Sequence, residues 1–277
     1  MTTNERKTMD IDLNVLHEKK AFICDMDGVI YHGNYVLPGV VGFVEWLQRE
    51  QKAFLFLTNS SECTPRELHE KLKRMGLDVG EEHFYTSALA TAAFLKSQTP
   101  RGSAYVIGQT GLVNALYDAG LTMNDIDPDY VIIGESMEYT YAKIIRAVHH
   151  VRNGARLIGT NPDVTGPVEG GIIPATGALV APVELATGCK AYFVGKPNPL
   201  MMRHALKRLN MRREDTVIIG DRMDTDIIAG IESEIMTVLV LSGVTAKDDI
   251  PKFAYRPNLV LNGVGEIGND GMGDRTA

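Results

Sequence analysis

The chain has 277 residues, 44% of them hydrophobic and 23% charged, with a formal net charge of -7. Length and composition exclude a disordered, collagen-like or coiled-coil protein, leave room for about two domains of roughly 150 residues, and provide a core that needs no disulfide or metal staple. The acidic balance argues against nucleic acid as a partner, because neutralising phosphates takes a basic face, and the odd, widely spaced Cys24, Cys63 and Cys189 point to a reducing, cytoplasmic setting.

Residues 1–19 are polar and mixed in charge, without the apolar segment of a secretion signal. The longest apolar runs are five to seven residues, far short of the ~18–20 that cross a bilayer, so no membrane partner is expected. Short apolar runs then alternate with helical patterns, the signature of a parallel sheet with crossover helices. Strands are expected at Ala21–Cys24, 53–57, 104–107, Tyr130–Ile133, Arg156–Gly159, 191–194, 217–219 and 238–241. They are continuously apolar, as strands buried on both faces should be.

The helices carry their own punctuation. Thr64 is an N-cap followed by Pro65 at the first helical position and Glu67 at the capping-box position, and Gly76 closes that helix. A long helix is expected over 139–152, ended by Asn153-Gly154. Pro199 opens another over 200–209, with Asn198 as its cap. The last ten residues, small and polar, read as a frayed tail.

Four of the apolar runs end in residues of functional type, and in open α/β sheets ligands sit beyond the carboxyl ends of strands. The first is followed by Asp25 and Asp27, the second by Thr58, Asn59 and Ser60, the third by Gly195 and Lys196, and the fourth by Asp221, with Asp224 and Asp226 beyond. If these ends converge, Asp25 and Asp221 would repel each other, and a hard divalent cation such as Mg²⁺ would remove the conflict. Lys196 would add positive charge, and Thr58 and Asn59 a hydroxyl and an amide for phosphate oxygens. Such a set suits phosphoryl transfer, whose catalysis is positioning and charge stabilisation. Asp25 and Asp27, two apart in an extended segment, point the same way. One carboxylate could attack phosphorus while the other protonates the leaving oxygen and later deprotonates water.

These residues, over about 20–267, resemble the haloacid dehalogenase superfamily of phosphatases. The resemblance implies Asp25 as nucleophile, Asp27 as acid and base, Thr58 and Asn59 as phosphoryl ligands with Ser60 nearby, and Lys196 as the charge-stabilising lysine. It also implies Mg²⁺ at Asp25, Asp27 and Asp221, supported by Asp226, with Arg222, Met223, Asp224 and Thr225 reaching toward substrate. Residues 159–167, 174–184, 194–200 and 239–244 look like the NagD-type, or 4-nitrophenylphosphatase-like, branch, whose members are magnesium-dependent phosphomonoesterases, several acting on nucleoside monophosphates. One departure is Ser60, where the branch typically has a second Asn. The implied architecture is α/β: a doubly wound, Rossmann-like parallel-sheet core from 20–85 and 186–267, an inserted smaller α/β cap over 86–185 that closes over the substrate, and tails at 1–19 and 268–277.

Asn161 and Asp163 end a cap strand and are candidates to face the leaving group. Cys24 alternates away from Asp25 and reads as a core thiol. No second histidine accompanies His69-Glu70 at helical spacing, so zinc is not expected. The expected activity is hydrolysis of a small phosphorylated metabolite through an aspartyl-phosphate. A phosphotransferase on the same chemistry and a non-catalytic phosphometabolite sensor are the alternatives, although a sensor would be expected to lose Asp25, Asp27 or the metal ligand. The cap surface could serve a homodimer, which no residue pattern establishes.

Overall fold

The computed structural model describes residues 13–168 and 170–268. Its strands in chain order are β1 (Ala21–Cys24), β2 (Tyr31–His32), β3 (Tyr35–Val36), β4 (Ala53–Thr58), β5 (Phe84–Thr86), β6 (Ser103–Ile107), β7 (Thr122–Met123), β8 (Tyr130–Ile133), β9 (Arg156–Gly159), β10 (Thr165–Val168), β11 (Gly171–Pro174), β12 (Tyr192–Phe193), β13 (Thr216–Gly220), β14 (Met236–Val240) and β15 (Leu259–Leu261). Each expected strand is present within a few residues of its place.

Two parallel sheets organise them. The first has the order β15-β14-β13-β1-β4-β5, and the second β12-β9-β8-β6-β7. The chain fills one side of the first sheet with β4 and β5, builds the second sheet, then returns to fill the other side with β13, β14 and β15. The first sheet is therefore doubly wound, with its switch point at β1, and the second α/β unit is inserted. A switch point opens a crevice at the carboxyl ends of the strands.

Burial explains the apolar runs. Every residue of β1 is buried; Phe22 and Cys24 join one apolar cluster with Phe43, Val44 and Trp46, while Ile23 joins another on the opposite face. That second cluster is continuous with the inserted unit: it runs from Ile23, Leu55 and Ile218 to Ala104, Ile132 and Ile158. The capping box at Thr64 is formed in full, with the Thr64 hydroxyl accepting from Glu67 N at 3.2 Å and Glu67 Oε2 accepting from Thr64 N at 2.7 Å. Asn198 likewise caps the helix Pro199–Leu209.

Three details differ from expectation. Residues 192–193, expected in the first unit after the return at 186, instead form β12 on the edge of the second sheet, with Tyr192 opposite Ile158 and Phe193 opposite Gly159. The helix expected from 139 begins at Tyr141, because the hydroxyl of Thr140 caps it through Lys143 N. The segment 13–19, expected to be tail, holds a short helix, Asn14–His17, whose Leu16 is fully buried in the core and whose His17 lies 5.3 Å from Trp46. The rest of the expected tails, 1–12 and 269–277, lies outside the described residues. Among the described residues no helix is long and apolar enough to cross a membrane.

Phe22 anchors β1, and with it the site, by edge-to-face contacts to Phe43 (6.1 Å) and Trp46 (5.4 Å). Phe22→Ala should cost about 3–5 kcal/mol of unfolding free energy. Fluorescence of Trp46, the chain's one tryptophan, would follow the denaturant titration, and a loss below about 1 kcal/mol would contradict this packing.

Candidate active site

The carboxyl ends of β1, β4 and β13 meet the chain leaving β12 around a cavity of about 280 Å³. Its polar end is lined by Asp25, Asp27, Thr58, Asn59, Lys196 and Asp221. Met26 is fully buried in the core; alternation thus turns Asp25 and Asp27 together into the cavity. The turn after them needs Gly28, whose φ is +76° and where a Cβ would lie 2.6 Å from Asp221 Oδ2. A Cβ on Gly243 would also collide with the Asp221 carboxylate.

Lys196 is the electrostatic centre. Only 2% exposed, its Nζ lies 2.7 Å from Asp25 Oδ1 and 2.7 Å from Asp226 Oδ1. Burial alone would lower its pKa, but Asp226 and Asp25 outweigh that and raise it, so the ammonium stays charged. Asn59 holds the same turn: its Oδ1 accepts from Lys196 N at 2.8 Å, and its Nδ2 donates to Lys196 O and to Asp163 Oδ2, both at 2.9 Å. Thr58 Oγ1 accepts from Ser60 N at 3.1 Å, which shapes the loop after β4.

Oxygens of Asp25, Asp221 and Asp226 lie within 4.8 Å of one another. Burial first, then the charges of Asp25 and Asp226, pushes the Asp221 carboxyl well above the ordinary carboxylate range. Burial also raises Asp226, against the pull of Lys196. Asp221 Oδ2 accepts from Val244 N at 2.7 Å, while its Oδ1 is buried without a hydrogen-bond partner. An orphaned carboxylate oxygen beside two further carboxylates fits a hard divalent cation. The carboxyl of Asp27, expected among the ligands, stands outside this cluster and faces His32 Nδ1 at 3.5 Å. Burial raises its pKa, with His32 opposing. Asp226, expected only in support, is inside the cluster.

The loop after β13 divides its residues. Met223–Ile227 winds as a π-helical turn, so Asp226 points inward and accepts from Arg222 N at 3.1 Å. Arg222 and Thr225 line the cavity. Met223, expected near substrate, is instead fully buried in an apolar cluster with Ile227, Leu239 and Ile250. Asp224 does not line the cavity either; it grips Arg222 with two hydrogen bonds of 3.1 and 2.9 Å. Of the two candidates from the inserted unit, Asp163 lines the cavity, its pKa raised by burial against the Asn59 hydrogen bond. Asn161 is fully buried and does not line it, donating to Asn59 O at 2.7 Å. Cys24 is a buried core thiol with a pKa raised by burial, as its alternation implied.

Sequence reasoning missed Tyr31, Glu62, Lys71 and Glu135 in the wall, and the antiparallel hairpin β10–β11, which contributes Thr165, Pro167, Val168 and Ile173. Glu135 follows the apolar strand β8, the same strand-end signal that marked the other residues. The hairpin left no signal, because its Gly and Pro residues read as loop.

Because the folded value of Asp221 is raised to about 8, its contribution to the stability of the metal-free protein is fully present below the unfolded value, about pH 4, and is lost as pH rises through the folded one. Metal-free stability should therefore fall from about pH 4 toward about pH 8, and Asp221→Asn should flatten the slope. Denaturant titrations in chelator would measure this; a slope unchanged by the substitution would contradict the buried, unpaired carboxylate.

A family model described as haloacid dehalogenase-like hydrolase matches residues 22–122, and a second, HAD-hydrolase-like, matches 193–267. The chain is 44% identical over 257 residues to dihydroxyacetone phosphatase of Corynebacterium glutamicum (strain R), covering 92% of this chain and 94% of that protein. It is 42% identical over 248 residues to ribonucleotide monophosphatase NagD of Escherichia coli (strain K12), covering 90% and 98%. The crystal structure of 4-nitrophenylphosphatase from Thermotoga maritima superposes with a TM-score of 0.88 at 32% identity, over 92% of this chain and 98% of that one. The chain belongs to the haloacid dehalogenase-like hydrolases, in their NagD-like branch, and is a phosphoric monoester hydrolase.

Proposed function

We infer that this hydrolase cleaves small phosphate monoesters with Mg²⁺, through an aspartyl-phosphate on Asp25. The observation that carries the reading is the buried Lys196 ammonium held 2.7 Å from Asp25, beside the Asp221 carboxylate and the Thr58–Asn59 loop, at the closed end of a cavity. A volume of about 280 Å³ lies at the small end of ligand sites. Nucleoside monophosphates or similar small metabolites fit the reading, as does the generic ester 4-nitrophenyl phosphate; ribonucleotide and dihydroxyacetone phosphatases are among the relatives.

In this mechanism the phosphoryl oxygens are held by Thr58, by Lys196 and by the backbone of Asn59, whose side-chain amide is already committed to Lys196 and Asp163. A carboxylate oxygen of Asp25 attacks phosphorus, and the ester P–O bond breaks. Asp27, its pKa raised by burial, gives its proton to the departing oxygen. Asp27 then takes a proton from water as that water attacks the phosphorus of the aspartyl-phosphate. The bond to Asp25 breaks, releasing inorganic phosphate and restoring both carboxyl groups. Asp25 and Asp221 would hold Mg²⁺, which would neutralise charge on the phosphoryl group. Asp226, committed to Lys196 and Arg222 N, holds the lysine in place.

Hydrolysis of 4-nitrophenyl phosphate should stop on chelation and return with added Mg²⁺. Asp25→Asn should fall to the uncatalysed background; a folded, pure variant that still turns over would refute the nucleophile. Asp27→Asn should fold normally and lose roughly 10²–10⁴ in kcat on an alkyl phosphate. The loss in kcat/KM, which reports the step that expels the leaving group, should be smaller on 4-nitrophenyl phosphate, whose leaving group needs less protonation, and equal losses in kcat/KM on both esters would argue against a proton donor.

A further inference from the structure

The loop that presents Thr58, Asn59 and Ser60 is held from the inserted unit as well as from its own strand. Glu135, just beyond β8, has both oxygens committed. Oε2 accepts from Ser61 N at 3.1 Å and from the Ser61 hydroxyl, and Oε1 accepts from Asn161 Nδ2 at 2.7 Å. Thr160 Oγ1, at the end of β9, donates to Ser61 Oγ at 3.3 Å, and Gly195 N donates to Thr160 O at 2.7 Å. The loop after β4 is thus tied to the ends of β8 and β9, and the lysine turn to the end of β9.

The backbones also approach too closely for side chains to stand between them. A Cβ on Gly134 would lie 2.5 Å from Ser61 Oγ, and one on Gly195 would lie 2.7 Å from both Asn59 Oδ1 and Thr160 O. Gly111, on the helix after β6, donates to Glu62 O at 2.8 Å, and a Cβ there would lie 2.6 Å from that oxygen. Ser61 is fully buried and forms no part of the cavity wall. Glu135 reaches the wall with each of its oxygens already accepting, one from Ser61 and one from Asn161.

We propose that Glu135 is a positioning residue for phosphate binding: through Ser61 it fixes, from the second sheet, the loop whose Thr58 and Asn59 receive the phosphoryl group. This rests on the phosphatase reading. Lifting the second sheet would break the Glu135, Thr160 and Asn161 bonds together.

The test uses the full chain with Mg²⁺ and compares Glu135→Gln, Ser61→Ala and the double variant. The readouts are inhibition by inorganic phosphate, which carries no leaving group, kcat and KM on 4-nitrophenyl phosphate and on an alkyl phosphate, and thermal unfolding. Gln keeps the size of Glu but offers one acceptor where the carboxylate offers two. Glu135→Gln should weaken inorganic phosphate roughly tenfold, in keeping with loss of a hydrogen bond to a charged group. KM on both esters should rise by the same factor, leaving the preference between them unchanged. Ser61→Ala should move the phosphate constant in the same direction, and the double variant should do little worse than Glu135→Gln, because both remove one interaction. An unchanged phosphate constant, or a change of ester preference larger than the change in phosphate affinity, would overturn the proposal. Should Glu135→Gln fail to fold, a folded Ser61→Ala with normal phosphate inhibition would overturn it equally. An inactive parent protein would instead overturn the phosphatase reading itself.

Discussion

The cleft is governed by charge balance around one buried ammonium. Lys196 neutralises at most one of the three carboxylates that converge on it, and none of the four groups has bulk water to fall back on except through the cavity. Buried charges left uncompensated cost several kcal/mol each. The orphaned oxygen of Asp221 marks where compensation is missing. A divalent cation would supply what is missing, and the local field would then accept a phosphoryl dianion although the chain as a whole is acidic. The net charge of -7 therefore does not oppose a small anionic substrate, because local ions and fixed charges set the field of a closed site.

Bringing these charges together requires elements distant in sequence to end at one place. The central position of β1 provides that: β4 and β13 flank it in parallel, so Asp25, Thr58 and Asp221 leave their strands side by side. Lys196 arrives from the other sheet, by way of β12. Its turn is fixed by Asn59 on one side and Thr160 on the other, so the lysine is placed by both units at once. The glycines at these crossings are steric requirements, since at Gly28 and Gly195 a single methyl group would occupy the space of the Asp221 carboxylate or of the Asn59 amide.

Much of this was legible in the sequence. The strands of both sheets are continuous apolar runs, and the polar residues that follow them break the pattern where the chemistry lies. Capping residues such as Thr64 and Asn198 announced their helices because a cap is a local hydrogen bond. What stayed hidden depended on partners far away. Two-residue β12 reads like any apolar run, and only pairing with β9 decides its sheet. Met223 sits among polar residues, and its inward turn follows from the π-helical winding that also buries Asp226. Asn161 resembles a ligand residue by composition, yet its amide is consumed by Asn59, Glu135 and Thr176. The helix Asn14–His17 spans barely one turn, too short for any periodicity to show.

The cavity is asymmetric in how tightly its two ends are held. At its closed end nearly every polar atom is buried and hydrogen-bonded to groups that are themselves held, so substitutions there disturb several interactions together. At its more exposed end stands the β10–β11 hairpin, joined by one antiparallel ladder and lining the cavity with apolar side chains: Val168 is 41% and Ile173 39% exposed. Residues so exposed contribute little to stability, and exchanging one for another leaves the charge balance at Lys196 untouched. A scaffold arranged this way can keep one phosphoryl chemistry while the leaving group it admits drifts with the hairpin. The fixed frame behind the phosphate loop then has a further consequence: with the second sheet tied to that loop by Glu135 and Asn161, the hairpin is the part of the inserted unit that can change shape or sequence without moving the atoms that hold phosphorus.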